Sequence, residues 1–142
     1  KKLELIVDRY LFTSTTRAFV IGALLTALVQ SSSVTTSIVV PMLGAGIVRL
    51  EQAYPYMLGA NIGTTITAIL ASLVTGSPVA VTIALSHLLF NLFGTAVFLP
   101  LGALPIGLSR WLGRATAKRR WVAPAFVITM FFVVPALLLF VT

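Results

Sequence analysis

Gln30-Ser31-Ser32-Ser33 puts one amide and three hydroxyls in a row inside a stretch, Ala18 to Val48, that carries no charge. Such groups donate to the oxygens of an anion, and their own oxygens coordinate a hard cation. About thirty residues on, Gly59-Ala60-Asn61-Ile62-Gly63-Thr64-Thr65 repeats the pattern, with one carboxamide between two glycines and two hydroxyls directly after them. Neither segment contains Lys or Arg. The chemistry on offer is binding by hydroxyls, amides and backbone dipoles. No carboxylate pair, metal cluster or nucleophile with a base stands in a position to do covalent work, which argues against an enzyme and against a resident cofactor.

The elements that position these groups follow from composition. Hydrophobic residues make up 58% of the chain and charged residues 9%, and no Asp, Glu, Lys or Arg occurs between Gln52 and Ser109. A chain of this kind cannot cover a water-soluble surface with polar groups, but it suits a lipid bilayer. The expected class is all-α integral membrane. With no Cys there is no disulfide framework and no thiolate metal site. The net charge of +7 does not point to nucleic acid, because five of the ten basic residues fall between Arg110 and Arg120. That cluster reads as a cytoplasmic loop of a cell-membrane protein under the positive-inside rule. The chain begins Lys1-Lys2-Leu3 without an initiator Met and shows no signal peptide, so it is expected to be a piece of something longer.

Lengths set the architecture. A helix crossing about 30 Å of hydrocarbon needs roughly 20 residues. The 31 residues 18–48 are too many for one upright span, whereas the arms on either side of Gln30 to Ser33 have 12 and 15 residues and reach only part of the way across. The expectation is a re-entrant helical hairpin with the polar tetrad at its tip and Arg17 and Arg49 at its mouth. A single tilted helix whose serines bond back to their own carbonyls is the competing reading. Residues 54–75 are expected to span, broken at GANIGTT by glycine and by side chains that compete for backbone partners. Alternatively, Gly59 and Gly63 form a GxxxG face for close helix packing.

Residues 79–101 read as a spanning helix on which His87 and Asn91 share a face, expected to hydrogen-bond between helices. Residues 108–121 read as a basic interfacial helix or a solvated loop, with Arg110, Arg114 and Lys118 at helical spacing near Trp111 and Trp121. Residues 122–141 read as the last spanning helix, and 1–17 as an amphipathic lead-in. Counting spans back from the basic loop puts the hairpin mouth on the cytoplasmic side and the C-terminus outside.

Paired discontinuous helices near the midplane are a device of secondary transporters. Two half-helix N-termini supply about one positive charge, too little for a dianion at low dielectric. With no basic side chain nearby, the remaining compensation has to come from bound cations. The expectation is cation-coupled uptake of an oxyanion.

Val29-Gln30-Ser31-Ser32-Ser33, Ser37, Pro41, Ala53-Tyr54-Pro55 and Leu58 to Thr65 resemble the second, C-terminal repeat of the type II sodium/phosphate cotransporters. The likeness continues through His87, Phe90-Asn91-Leu92, Gly94 and Arg120-Trp121. It implies sodium-coupled symport of inorganic phosphate by two inverted repeats, each bearing one QSSS hairpin. By resemblance, Gln30, Ser31, Ser32 and Ser33 contact phosphate and sodium. Asn61, Thr64 and Thr65 supply the facing unwound segment, sodium falls to Gln30, Ser33, Asn61 and Thr64, and Thr35 is a weaker candidate just past the tip. Only one QSSS is present, so the chain is expected to be half of an inverted-repeat transporter. Its missing N-terminal repeat belongs to the same protein or to a separate chain. A non-transporting scaffold or regulatory subunit and a hydroxyl-lined channel are the alternative classes.

Overall fold

The computed structural model describes residues 12–141, and no strand occurs among the described residues. In chain order the helices are α1 (Thr15–Val29), α2 (Ser32–Gly44), α3 (Leu50–Thr75), α4 (Pro78–Phe98) and α5 (Ala103–Lys118). The last, α6, runs as Val122–Ile128, a π-helical turn at Thr129–Val133, and Val134–Val141. Pro135 has no N–H to return to the preceding turn, which accounts for the widened turn just before it. α3, α4 and α6 are long and apolar enough to cross a membrane, whereas α1 and α2 are shorter apolar helices. Large apolar side chains such as Leu28, Phe90, Phe93 and Phe140 point outward. That surface is suited to lipid.

The chain divides into two compact units, Lys1–Gly102 and Ala103–Thr142. The first is held by α1 lying parallel to α3, with α2 folded back on both. Ala18, Gly22 and Thr26 recur every four residues and are buried on α1. Opposite them, α3 buries Gln52, Tyr56, Gly59 and Gly63. A β-carbon on Gly22 would overlap the Tyr56 carbonyl, one on Gly59 the Phe19 carbonyl, and one on Gly63 the Ala23 carbonyl. The backbones therefore touch, and dispersion between them replaces the hydrophobic drive that lipid cannot supply. At the open end of the seam, the Phe12 and Tyr56 rings stack tilted at 5.9 Å, and Gln52 Nε2 donates to the Phe12 carbonyl at 3.4 Å.

This packing corrects one expectation. α3 is unbroken from Leu50 to Thr75, so GANIGTT does not unwind. Glycine's cost in a helix interior is mainly backbone entropy, about 1 kcal/mol each, and the close packing of α1 against Gly59 and Gly63 offsets it. The hydroxyls do not break the helix either, since Thr64 Oγ1 donates to the Ala60 carbonyl (3.0 Å) and Thr65 Oγ1 to the Ile62 carbonyl (2.7 Å).

Other boundaries shift less. The hairpin expected over 18–48 is α1, a turn and α2; the helix expected over 79–101 ends at Phe98; the basic element expected over 108–121 is helical from Ala103. Of the lead-in 1–17, residues 1–11 lie outside the described residues. Its end enters α1 through Ser14, whose Oγ accepts the Arg17 N–H at 3.2 Å.

Candidate functional site

The tetrad forms the only turn in the 15–44 segment. Gln30 closes α1 in the left-handed region (φ 57°), with its N–H donating to the Thr26 carbonyl at 2.7 Å. Ser31 then caps α2, its Oγ accepting the Val34 N–H at 3.3 Å. Left-handed backbone is ordinary for Gly and costs another residue about 1 kcal/mol. A purely structural turn here would favour glycine, so the amide of Gln30 sits where its backbone is disfavoured. Gln30 and Ser33 are exposed, and Ser31 and Ser32 are half-buried.

Two dipole ends meet at this turn. The carbonyls of α1 after Thr26 have no i+4 partner, and the N–H groups of Ser32 and Ser33 precede the first intrahelical bond of α2. There is no basic residue in the last turn of α1 and no acidic residue in the first turn of α2. The tip therefore offers partial negative charge suited to a cation beside partial positive charge suited to an anion, neither neutralised by a side-chain charge.

Residues just behind the tip hold it in shape. Thr26 and Thr35, both buried, join their hydroxyls at 2.9 Å across the hairpin. Thr35 Oγ1 also donates to the Ser31 and Ser32 carbonyls at 3.2 and 3.1 Å. Since Thr35 has one hydroxyl hydrogen and gives it to those carbonyls, Thr26 is the donor in the pair. Tyr56 on α3 donates its hydroxyl to the Thr35 carbonyl at 3.4 Å. Thr35, a weaker ligand candidate in the sequence, is thus a buried clamp. Thr26 and Tyr56 were not singled out there. Their signal was available only in retrospect, as a hydroxyl four residues before the turn and a tyrosine inside the small-residue face.

The second motif is not gathered against the first. At about 100° per residue, Asn61 points about 160° away from Gly59 and Gly63, the positions that meet α1. Asn61 instead lines a cavity of about 180 Å³ with Asn91, Gly94 and Thr95 of α4. Thr65 is fully buried and lies within about 40° of Asn61 on the same side of α3. Thr64 lies between the two faces. Among the described residues, no hydrogen bond joins Gln30 to Ser33 with Asn61, Thr64 or Thr65. The interhelical bond expected of His87 and Asn91 is also absent: Asn91 Nδ2 donates to the His87 carbonyl of its own helix at 3.2 Å.

A family model described as Na+/Pi-cotransporter matches residues 1–113. Sodium-dependent phosphate transport protein 2A of Oryctolagus cuniculus is 46% identical over 127 residues, covering 84% of this chain and 20% of that protein. The 2C and 2B proteins of Mus musculus are each 46% identical over 123 residues, covering 83% of this chain and 20% and 18% of theirs. The chain thus spans about a fifth of the length of these curated relatives. No solved structure matches it.

Proposed function

This chain belongs to the Na+/Pi-cotransporter family, a family of transporters rather than enzymes, and on that premise we propose that it is the C-terminal QSSS repeat of a sodium-coupled phosphate symporter. The observation that carries this reading is the turn at Gln30-Ser31, where a helix C-terminus and a helix N-terminus meet without a neutralising side chain. In this reading the Ser32 and Ser33 N–H groups, the Ser31 to Ser33 hydroxyls and the Gln30 amide hold phosphate oxygens. Sodium takes oxygen ligands from Gln30 and Ser33 at the tip, whereas Asn61 and Thr65 on the α4 side of α3, with Thr64 between the two faces, offer oxygens to a second stretch of the ion pathway.

The continuous α3 changes the source of carbonyl ligands. Backbone oxygens for sodium come from the last turn of α1, because the carbonyls of an unbroken α3 are engaged in its own ladder. Hydroxyl and carbonyl oxygens are the ligands a hard cation takes. Sodium beside the tip adds positive charge beyond the roughly half charge that the α2 N-terminus offers, so phosphate affinity and sodium occupancy are coupled.

The pocket is completed by a second QSSS hairpin in the remainder of the longer protein. The α1–α2 hairpin enters the bilayer without crossing it: its arms of 15 and 13 residues reach about 22 and 20 Å against a core of about 30 Å. The protein sits in the cell membrane with the Arg110 to Arg120 cluster on the cytoplasmic side.

Uptake of labelled phosphate into vesicles carrying the whole transporter tests the reading. Replacing sodium by choline is expected to abolish uptake, and Gln30→Ala and Ser31→Ala are each expected to reduce it by tenfold or more, about 1.4 kcal/mol of lost interaction. Uptake that persists in choline removes the coupling. Wild-type uptake in both variants removes the site.

A further inference from the structure

We propose that the elbow between α5 and α6 binds one anionic phospholipid, with its headgroup at Arg114, Lys118 and Arg119 and an acyl chain in the apolar crevice beside them. This site lies in the second unit and does not depend on the transport reading.

Two cavities adjoin at the elbow. One, about 360 Å³, is lined by Trp111, Arg114, Ala115 and Lys118. The other, about 390 Å³, shares Trp111 and Ala115 and adds Arg119 and Trp121, then continues along α6 past Phe126 and Met130. A basic compartment therefore adjoins an apolar one across the shared Trp111 and Ala115 wall. An amphiphile with an anionic head fits both halves, whereas a free anion uses only the first.

Charge complementarity supports that occupant. The three acidic residues of the chain are Glu4, Asp8 and Glu51, so residues 103–142 contain no Asp or Glu against five basic residues. Arg114 Nε donates to the Arg110 carbonyl at 3.3 Å, which lays the guanidinium along α5. Position in the fold agrees. α6 is apolar enough to span from Val122, so Arg119 to Trp121 occupy the place where a spanning helix meets the headgroups, and tryptophan favours that depth. A basic helix flanking a span is also the arrangement that attracts anionic lipid, at about fivefold per basic side chain near the surface.

Trp111 and Trp121 are the two tryptophans of the chain, and both line the crevice. Their fluorescence therefore reads its occupancy. The chain is reconstituted in phosphatidylcholine vesicles containing a minor share of either phosphatidylserine or phosphatidylcholine with brominated acyl chains, and quenching is compared.

The serine lipid is expected to quench with about tenfold or higher apparent affinity than the choline lipid, and Arg114→Gln and Lys118→Gln each to reduce that preference about fivefold. Arg114→Lys keeps it. Arg120→Gln removes the same charge from a residue that lines neither cavity, and the preference is expected to stay within about twofold of wild type. Equal quenching by the two lipids overturns the proposal. So does an Arg120→Gln effect equal to that of Arg114→Gln, which would mean diffuse surface attraction. Release of quenching by inorganic phosphate would assign the basic compartment to a free anion and overturn the lipid.

Discussion

Two stretches of small and polar residues interrupt apolar runs in this chain, and they behave in opposite ways. At Gln30-Ser31 the helix stops, reverses and restarts. At Gly59 to Thr65 it runs straight through. Both contain hydroxyls, and the one that breaks has no glycine. What separates them is where the backbone finds partners. Ser31 caps a new helix with its side chain, and Thr26 and Thr35 fasten the two arms behind the turn. In α3 the hydroxyls return to carbonyls of their own helix, and the glycines receive the backbone of α1. Low helix propensity alone does not break a helix. A break needs a competing set of backbone partners, and only the first stretch provides one.

The strongest test of that difference is to put a side chain into the seam. Gly59→Val forces a β-carbon into the Phe19 carbonyl, and the backbones have to separate. The expected loss is about 3 kcal/mol or more, at the upper end for overpacking, read as a lowered unfolding midpoint in detergent. Gly94→Ala is the control, because nothing lies within 4 Å of a β-carbon there. It is expected to stabilise by about 0.5 to 1 kcal/mol, since alanine is the better helix former and no neighbour has to move. Equal losses at both positions would mean that the seam is not what keeps α3 intact.

Next in size is the clamp behind the tip. Thr35→Val keeps the shape of the side chain but removes the hydroxyl that Thr26 donates to and that fastens the Ser31 and Ser32 carbonyls. Its expected cost is about 1 to 2 kcal/mol for a buried hydrogen bond left half-made. Thr26→Val should cost less in the Thr35→Val background than in wild type, by a coupling of about 1 kcal/mol. Additive losses would show that the two hydroxyls do not work as a pair.

These contrasts mark what was legible in the sequence. The hairpin was readable because two apolar arms, each too short to span, flank four polar residues. The three helices long and apolar enough to span were readable because charge disappears over long intervals. The continuity of α3 was not, since Gly59 and Gly63 are equally compatible with a break and with a packed seam. Choosing between those outcomes requires knowing that Ala18, Gly22 and Thr26 will face them, a long-range pairing that no local pattern contains. The placement of Asn61 was hidden for the same reason. Its spacing from Gly59 puts it on the far side of α3 only if the helix is continuous.

A smaller effect of opposite sign is expected at the tip itself. Gln30→Gly removes a side chain from a left-handed position and should leave the fold unchanged or stabilise it by about 0.5 to 1 kcal/mol. Phosphate uptake by the whole transporter is nevertheless expected to fall as far as in Gln30→Ala. A fold made more stable with transport lost would separate the amide's role from the turn's. Retained transport in Gln30→Gly would mean that the turn matters and the amide does not.

The smallest expected effect is at Thr65, and it carries the comparison to equal chemistry in unequal places. Thr65 and Thr35 are both buried threonines near the two polar motifs. Thr35 is tied to another helix arm, whereas Thr65 gives its hydroxyl to Ile62 one turn back in its own helix. Such a local bond adds little to a helix whose carbonyls are already engaged. Thr65→Val preserves volume, and its cost is expected to be below about 0.5 kcal/mol, against about 1 to 2 kcal/mol for Thr35→Val. If Thr65→Val leaves stability unchanged but raises the sodium concentration needed for half-maximal phosphate uptake, the hydroxyl is spent on the ion pathway. If it destabilises as much as Thr35→Val, the hydroxyl bridges to a neighbour in the assembled transporter, and the two motifs are fastened by the same means after all.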